Sequence, residues 1–170
     1  MKSVFLLIAG LLCLAYVQAQ KTVPSSSDSK FVQAASAGGL AEVQLGQLAK
    51  DKGSNSAVKD FGQRMVTDHS AANDKLKGIA SQENISVATS LNSNDQALYS
   101  RLQSMSGSQF DEAYINAMVR DHREDIAEFE KEANNGQDAK IKQFAMDTLP
   151  TLRDHLKMAE AAAAQLKKGE

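Results

Sequence analysis

The sequence has no tryptophan, two prolines, one cysteine, six Phe and three Tyr in 170 residues. With so few aromatics, the core must be built from Ala, Leu, Val, Ile and Met. Two prolines and ten glycines are too few for the many turns of an all-β protein, so helices are favoured. Nor does charge of one sign prevail. Lys and Arg number 19 against 21 Asp and Glu, which excludes the basic footprint of a nucleic-acid binder and an acidic tail. There is no Gly-rich phosphate loop and no Ser nucleophile motif. The Gly38-Gly39 pair reads instead as a place where two helices approach closely.

Only one long apolar run occurs, from Val4 to Val17 behind Lys2, and it ends in Val17-Gln18-Ala19. It falls short of the roughly 20 residues of a membrane span. Its small residue at the end reads as a secretory signal over 1–19, cleaved after Ala19. Cys13 follows Leu12, and lipoprotein cleavage needs a small residue there, so lipidation is set aside. Cleavage removes the only cysteine. The exported chain then has no disulfide and no thiolate, so any transition metal must be held by His, carboxylate or Met. The polar stretch 20–29, with Pro24 and three consecutive serines, reads as a tether to a domain over 30–168. The expected address is the periplasm or cell envelope, with no membrane span after signal removal.

Beyond Ser29 the apolar residues recur every three or four positions, the helical period. Helices are expected from Lys30 to Lys52, from Ser54 or Asn55 to Gln82, from Gln109 to Ala133, and from Asp138 to Lys167. The first two are joined by a tight turn at Gly53-Ser54 and the last two by one at Asn134 to Gln137. Between the hairpins, Glu83 to Ser108 is long enough to cross the length of a bundle and includes a short helix over Asp95 to Met105. Two helical hairpins joined by one long crossover make an all-α, ferritin-like four-helix bundle. Pro150, inside the last helix, is expected to kink it.

Rolled out at 100° per residue, each long helix carries one metal-competent side chain inside its apolar stripe. Glu42 lies between Gly38 and Leu45, and His69 between Met65 and Ala72. His122 lies between Met118 and Phe129, and His155 between Leu152 and Ala159. At about 1.5 Å per residue, Glu42 and His69 stand roughly 16 and 22 Å from the first turn; His122 and His155 stand roughly 20 and 27 Å from the second. All four levels fall near mid-bundle.

Each His follows an Asp: Asp68, Asp121 and Asp154. Adjacent helical residues point about 100° apart, so each Asp is suited to orienting an imidazole on a neighbouring helix or to plain solvation. There is also an internal echo. Phe61-x3-Met65-Val66-x-Asp68-His69 matches Tyr114-x3-Met118-Val119-x-Asp121-His122.

These segments, with Phe31-x10-Glu42, Phe110-Asp111-x-x-Tyr114 and Leu149-Pro150-x4-His155-Leu156, resemble a bacterial exported family. It is catalogued as domain of unknown function 4142 in the ferritin-like superfamily. The resemblance covers about Phe31 to Ala161, and Glu42, His69, His122 and His155 stand at the family's Glu and His positions. It implies a ferritin-like fold in the cell envelope and supplies no reaction.

The di-iron pattern of ferritins requires Glu-x-x-His on two helices. Val66, Val119 and Leu152 stand three residues before the histidines, so that pattern fails. A single Zn, Cu or Fe ion held by Glu42, His69, His122 and His155 fits better, for metal handling or stress protection in the envelope. Asp125 is a candidate for orienting a ligand. Met65 and Met118 can add soft donors for Cu(I) or simply fill gaps in an Ala-rich core. Asp111 is expected to bond the crossover. Two arrangements satisfy the quartet, the metal centre or a metal-free network of Glu–His hydrogen bonds in a structural or interaction module. An enzyme would need an open coordination position.

Overall fold

A computed structural model describes residues 24–168. The leader expected over 1–19 and residues 20–23 of the tether lie outside the described residues. Five α-helices follow one another: α1 (Ser26–Lys52), α2 (Ser56–Glu83), α3 (Ser93–Gln103), α4 (Gly107–Asn135) and α5 (Ala139–Leu166). Among the described residues there is no strand and no helix long and apolar enough to cross a membrane. The four long helices form the bundle, α1 on α2 and α4 on α5, with α2 also packing on α5 and α1 on α4.

The first helix starts four residues earlier than the sequence reading placed it, inside the supposed tether. Ser25 accepts a hydrogen bond from the Asp28 N–H, and the Asp28 carboxylate accepts one from the Ser25 N–H, a reciprocal box that satisfies two end donors. Asp28 is fully buried because its carboxylate also accepts the backbone N–H groups of Gln137 and Asp138 at 3.0 and 3.1 Å. At the opposite end, Asp111 of α4 accepts Ser54 N–H (3.0 Å), Ser54 Oγ–H (2.5 Å) and Asn55 N–H (2.8 Å). The expectation that Asp111 would bond the crossover is therefore corrected. It holds the α1–α2 turn, because the start of α4 lies beside that turn. These two clasps set the directions: α1 runs opposite to α4, and α2 runs parallel to α4.

The crossover leaves α2 at Asn84, whose φ of 57° ends the helix in the left-handed region. It passes α1, where Ala88 N–H bonds Ser36 Oγ, and descends along the bundle as α3, packing Leu98, Tyr99 and Leu102 onto the core. Lys52 Nζ bonds the Gln103 carbonyl at the far end. α5 continues through Pro150. The ring removes the hydrogen bond to Met146 four residues earlier, on an exposed face where water can replace it.

Gly38 and Gly39 are not where two backbones meet. A Cβ on Gly38 would touch Asp125 only at 3.9 Å, and one on Gly39 would strike the flexible amide of Asn73. The close approach of α1 and α2 is at Gly46 and Gly62, where an added Cβ would lie 2.8 and 2.7 Å from the other glycine's carbonyl oxygen.

The core is divided. One apolar cluster, with Leu45, Phe61, Met65, Tyr114, Met118 and Ala159, fills the end near the first turn. The other, with Phe31, Leu76, Phe129, Ile141, Phe144 and Leu152, fills the end near the second. Glu42, His69, His122 and His155 form the layer between them.

Candidate metal centre

All four of these side chains are buried, with exposures of 1, 6, 0 and 1% respectively. Parallel α2 and α4 explain the echoed sequence. Equal eight-residue spacings put Phe61 opposite Tyr114, with ring centroids 6.1 Å apart, and His69 opposite His122 at 5.8 Å. His155 of α5 completes a triangle, 5.2 Å from His69 and 5.3 Å from His122 between ring centroids. One ring nitrogen of each histidine lies within 4.8 Å of the others. Glu42 enters from α1, its Oε2 2.7 Å from His69 Nδ1 and its Oε1 3.3 Å from His122 Nε2.

The outward nitrogens decide which inward atoms carry protons. His122 Nδ1 lies 3.0 Å from the Met118 carbonyl, which only accepts, so this nitrogen carries the hydrogen. His155 Nε2 lies 2.8 Å from Asp68 Oδ2, and Asp68 is itself held by Arg64 Nε at 2.5 Å. Burial alone would raise the Asp68 carboxyl. The hydrogen bonds from His155 and Arg64 outweigh it and hold the group below the usual carboxylate range, so His155 Nε2 donates.

Both imidazoles are neutral. Burial first, then the neighbouring histidines, lowers His122 to about 3; burial lowers His155 to about 4 despite Asp68, and His69 to about 4. In neutral rings with those outer hydrogens, His122 Nε2 and His155 Nδ1 are bare lone pairs facing each other across 3.3 Å. Glu42 Oε1, 3.3 Å from His122 Nε2, has no hydrogen-bond partner; nor has His69 Nε2. Two nitrogen lone pairs that face each other without a hydrogen repel one another unless a cation lies between them. Two ligands of a tetrahedral ion with bonds of about 2.0–2.1 Å stand about 3.3–3.4 Å apart, which is the spacing of these atoms.

The carboxylates around this layer are electrostatically frustrated. Burial, then Asp121 and Asp95, raises Glu42 well above its ordinary range. Burial with Asp95 and Glu124 raises Asp121 to about 6. Burial and Glu42 push Asp125 up as well. A divalent ion is the kind of charge this environment lacks.

Asp125 stands beside Glu42 and His69 on a cavity of about 20 Å³, also lined by Asn73 and Thr148. That is room for about one water. Met65 and Met118 are fully buried in the apolar cluster towards the first turn, and Met118 serves the site through its backbone carbonyl. The three Asp-His pairs divide. Asp68 orients His155 across helices. Asp121 brings an oxygen within 4.8 Å of ligand atoms of Glu42 and His122. Asp154 is exposed and pairs with Lys157. Asp121 had a sequence signal in its place before His122, but its reach towards Glu42 required knowing how α1 and α4 face each other. Tyr114 was read only as core; its hydroxyl is buried without a partner, and burial and Glu42 hold it protonated.

The sequence profile of the family described as domain of unknown function (DUF4142) matches residues 14–162, and the chain belongs to that family. No curated protein matches it. Among solved structures it is similar to a DUF305 fragment from Deinococcus radiodurans, with a TM-score of 0.75 and 10% identity over 85% of this chain and 99% of that one. At that identity the likeness shows the fold alone.

Proposed function

We propose that this member of the DUF4142 family is an exported metal-binding bundle that holds one transition-metal ion at Glu42, His69, His122 and His155, for metal handling or stress protection in the cell envelope. The observation that carries the reading is the pair of bare nitrogens, His122 Nε2 and His155 Nδ1, at 3.3 Å. Their outer N–H groups are already donated to a carbonyl and a carboxylate, the arrangement by which imidazole ligands are oriented towards an ion. A metal-free network is disfavoured because His122 Nε2 and His155 Nδ1 face each other without a hydrogen between them, and His69 Nε2 has no partner whether or not Glu42 donates. Imidazole with carboxylate suits Zn²⁺, Cu²⁺ or Fe²⁺, and Cu²⁺ is favoured on raw affinity. Export rests on the sequence of residues 1–19, and a thiol-free site suits an oxidising compartment.

The test is elemental analysis of the chain produced with its own leader and recovered from the envelope fraction. One equivalent of metal, absent from His122→Ala/His155→Ala, supports the reading. Metal-free protein from metal-replete cells, which also takes up no added Cu²⁺, Zn²⁺ or Fe²⁺, overturns it. Retention of the leader in the cytoplasmic fraction overturns the export part alone.

A further inference from the structure

The buried centre raises a question of access. Its four donors are buried, with only His69 reaching 6% exposure, so the route by which an ion arrives must run through the side chains around them. Two half-buried carboxylates stand against this layer, Asp121 and Asp125. They differ in one respect. Asp121 places a ligand atom within 4.8 Å of atoms of Glu42 and His122, whereas Asp125 belongs to no such group among the described residues. The outer set (Glu42, Asp121, His122) and the inner set (His69, His122, His155) share His122, and Glu42 also touches the inner set through Oε2, 2.7 Å from His69 Nδ1. Glu42 also has the means to serve both, because Oε1 is buried, unpartnered and directed at His122.

Resting on the metal reading above, we propose that Glu42, Asp121 and His122 form an outer loading position for a divalent transition-metal ion, from which it passes to the histidine cluster. An ion held there trades Asp121 for His155 and His69 one donor at a time while Glu42 and His122 stay attached, so no free ion crosses the apolar core. The crossover helix supplies the approach. Asp95 lies in the first turn of α3 and is half-buried, and its charge acts on both Asp121 and Glu42. The carboxylates thus run inwards from half-exposed to buried, and such a line of like charge concentrates cations and speeds their arrival. Because Asp121 is not a ligand of the ion in its final position, its loss should change the rates in both directions far more than the equilibrium.

The experiment is stopped-flow loading of the metal-free mature chain with Co²⁺, followed by its visible absorption, and release of the same ion into excess chelator. Asp121→Asn is expected to slow both loading and release by about tenfold or more while the dissociation constant changes far less. Asp121→Glu should restore the rates, Asp95→Asn should slow loading more weakly, and Asp125→Asn should slow loading less than Asp121→Asn does. Thermal unfolding of each apo variant checks that it folds, and Asp95→Asn, on the crossover helix and outside the buried layer, carries the test if Asp121→Asn does not. Lost affinity with unchanged loading would make Asp121 an ordinary final ligand and overturn the proposal. So would unchanged rates, or greater slowing by Asp125→Asn than by Asp121→Asn, which would put the access at the small cavity. If the wild-type chain takes up no Co²⁺, Cu²⁺, Zn²⁺ or Fe²⁺ at all, the metal reading itself falls, a result distinct from any of these.

Discussion

Asp68 on α2 accepts a 2.8 Å hydrogen bond from His155 Nε2 on α5 and so determines which nitrogen of that ring faces the centre of the bundle. Removing the carboxylate frees the ring to take either tautomer. Asp68→Ala is expected to weaken metal binding by about 10–100-fold, as loss of an outer partner does in other imidazole sites. The same change leaves the buried His155 N–H without its acceptor, so the apo protein should also lose about 1–3 kcal/mol of stability. Competition titration against a chelator, beside a thermal melt, separates the two effects.

Loading should release protons, and they should come from Glu42. The histidines are lowered to about 4, 3 and 4, so at neutral pH they are already bare, while burial holds the Glu42 carboxyl above its ordinary range. Cation binding reverses that shift. Calorimetry in buffers of different ionisation enthalpy should show proton release that diminishes as pH rises through the Glu42 titration. Glu42→Gln should abolish the release and most of the affinity. Proton uptake, or release unchanged in Glu42→Gln, would contradict this assignment.

At the other end of the bundle, Glu132 is buried beside Asp28, and burial with Asp28 and Asp138 raises it to about 7. The native state therefore holds a proton between the ordinary value of 4.5 and about 7 that the unfolded chain releases. This contribution is present at low pH and is lost as pH rises through that window. Glu132→Gln keeps the neutral form at every pH. It should raise the Tm by a few degrees (about 2–5 °C) at pH 8 and leave it unchanged near pH 4.5.

Two glycines of the same helix type should behave oppositely on substitution by alanine. A Cβ at Gly46 would lie 2.8 Å from the Gly62 carbonyl oxygen and 3.0 Å from Met65 Cβ, so Gly46→Ala must push α1 and α2 apart. It is expected to destabilise by about 1–3 kcal/mol, as overpacking does. Gly78 has open space where its Cβ would stand. Gly78→Ala should stabilise by about 0.5–1 kcal/mol through the stiffer unfolded chain and better helix propensity. Urea unfolding of the pair checks both signs.

Much of this arrangement was readable because helices obey one period. The stripes of α2, α4 and α5 fixed the phase of each histidine, and the Phe61/Tyr114 echo carried register information once the two helices proved parallel. The start of α1 was also written in the chain, as Ser25-x-x-Asp28, but the neighbouring serines made that stretch read as a tether. What could not be read were relations between helices. Asp68, Asp121 and Asp154 have the same local sequence setting and three different surroundings. Gly46 and Gly62 are sixteen positions apart, and only the crossing of α1 over α2 makes them partners. Asp111 goes to the turn rather than the crossover because of where α4 begins in space.

Asp28 and Asp111 bear on how the molecule assembles. Each hairpin contributes the acid that finishes the other hairpin's bend, so neither half on its own can satisfy the amides at its own tip. Docking and loop completion are then a single event, and the apolar ends should not melt separately despite the polar layer between them. A fragment of residues 24–84 would be left with bare Ser54 and Asn55 amides and an Asp28 that keeps only its Ser25 box, and it should be markedly less ordered than the same residues within the whole chain. Mixed with residues 85–168, it should regain that order, because the missing carboxylate arrives with its counterpart.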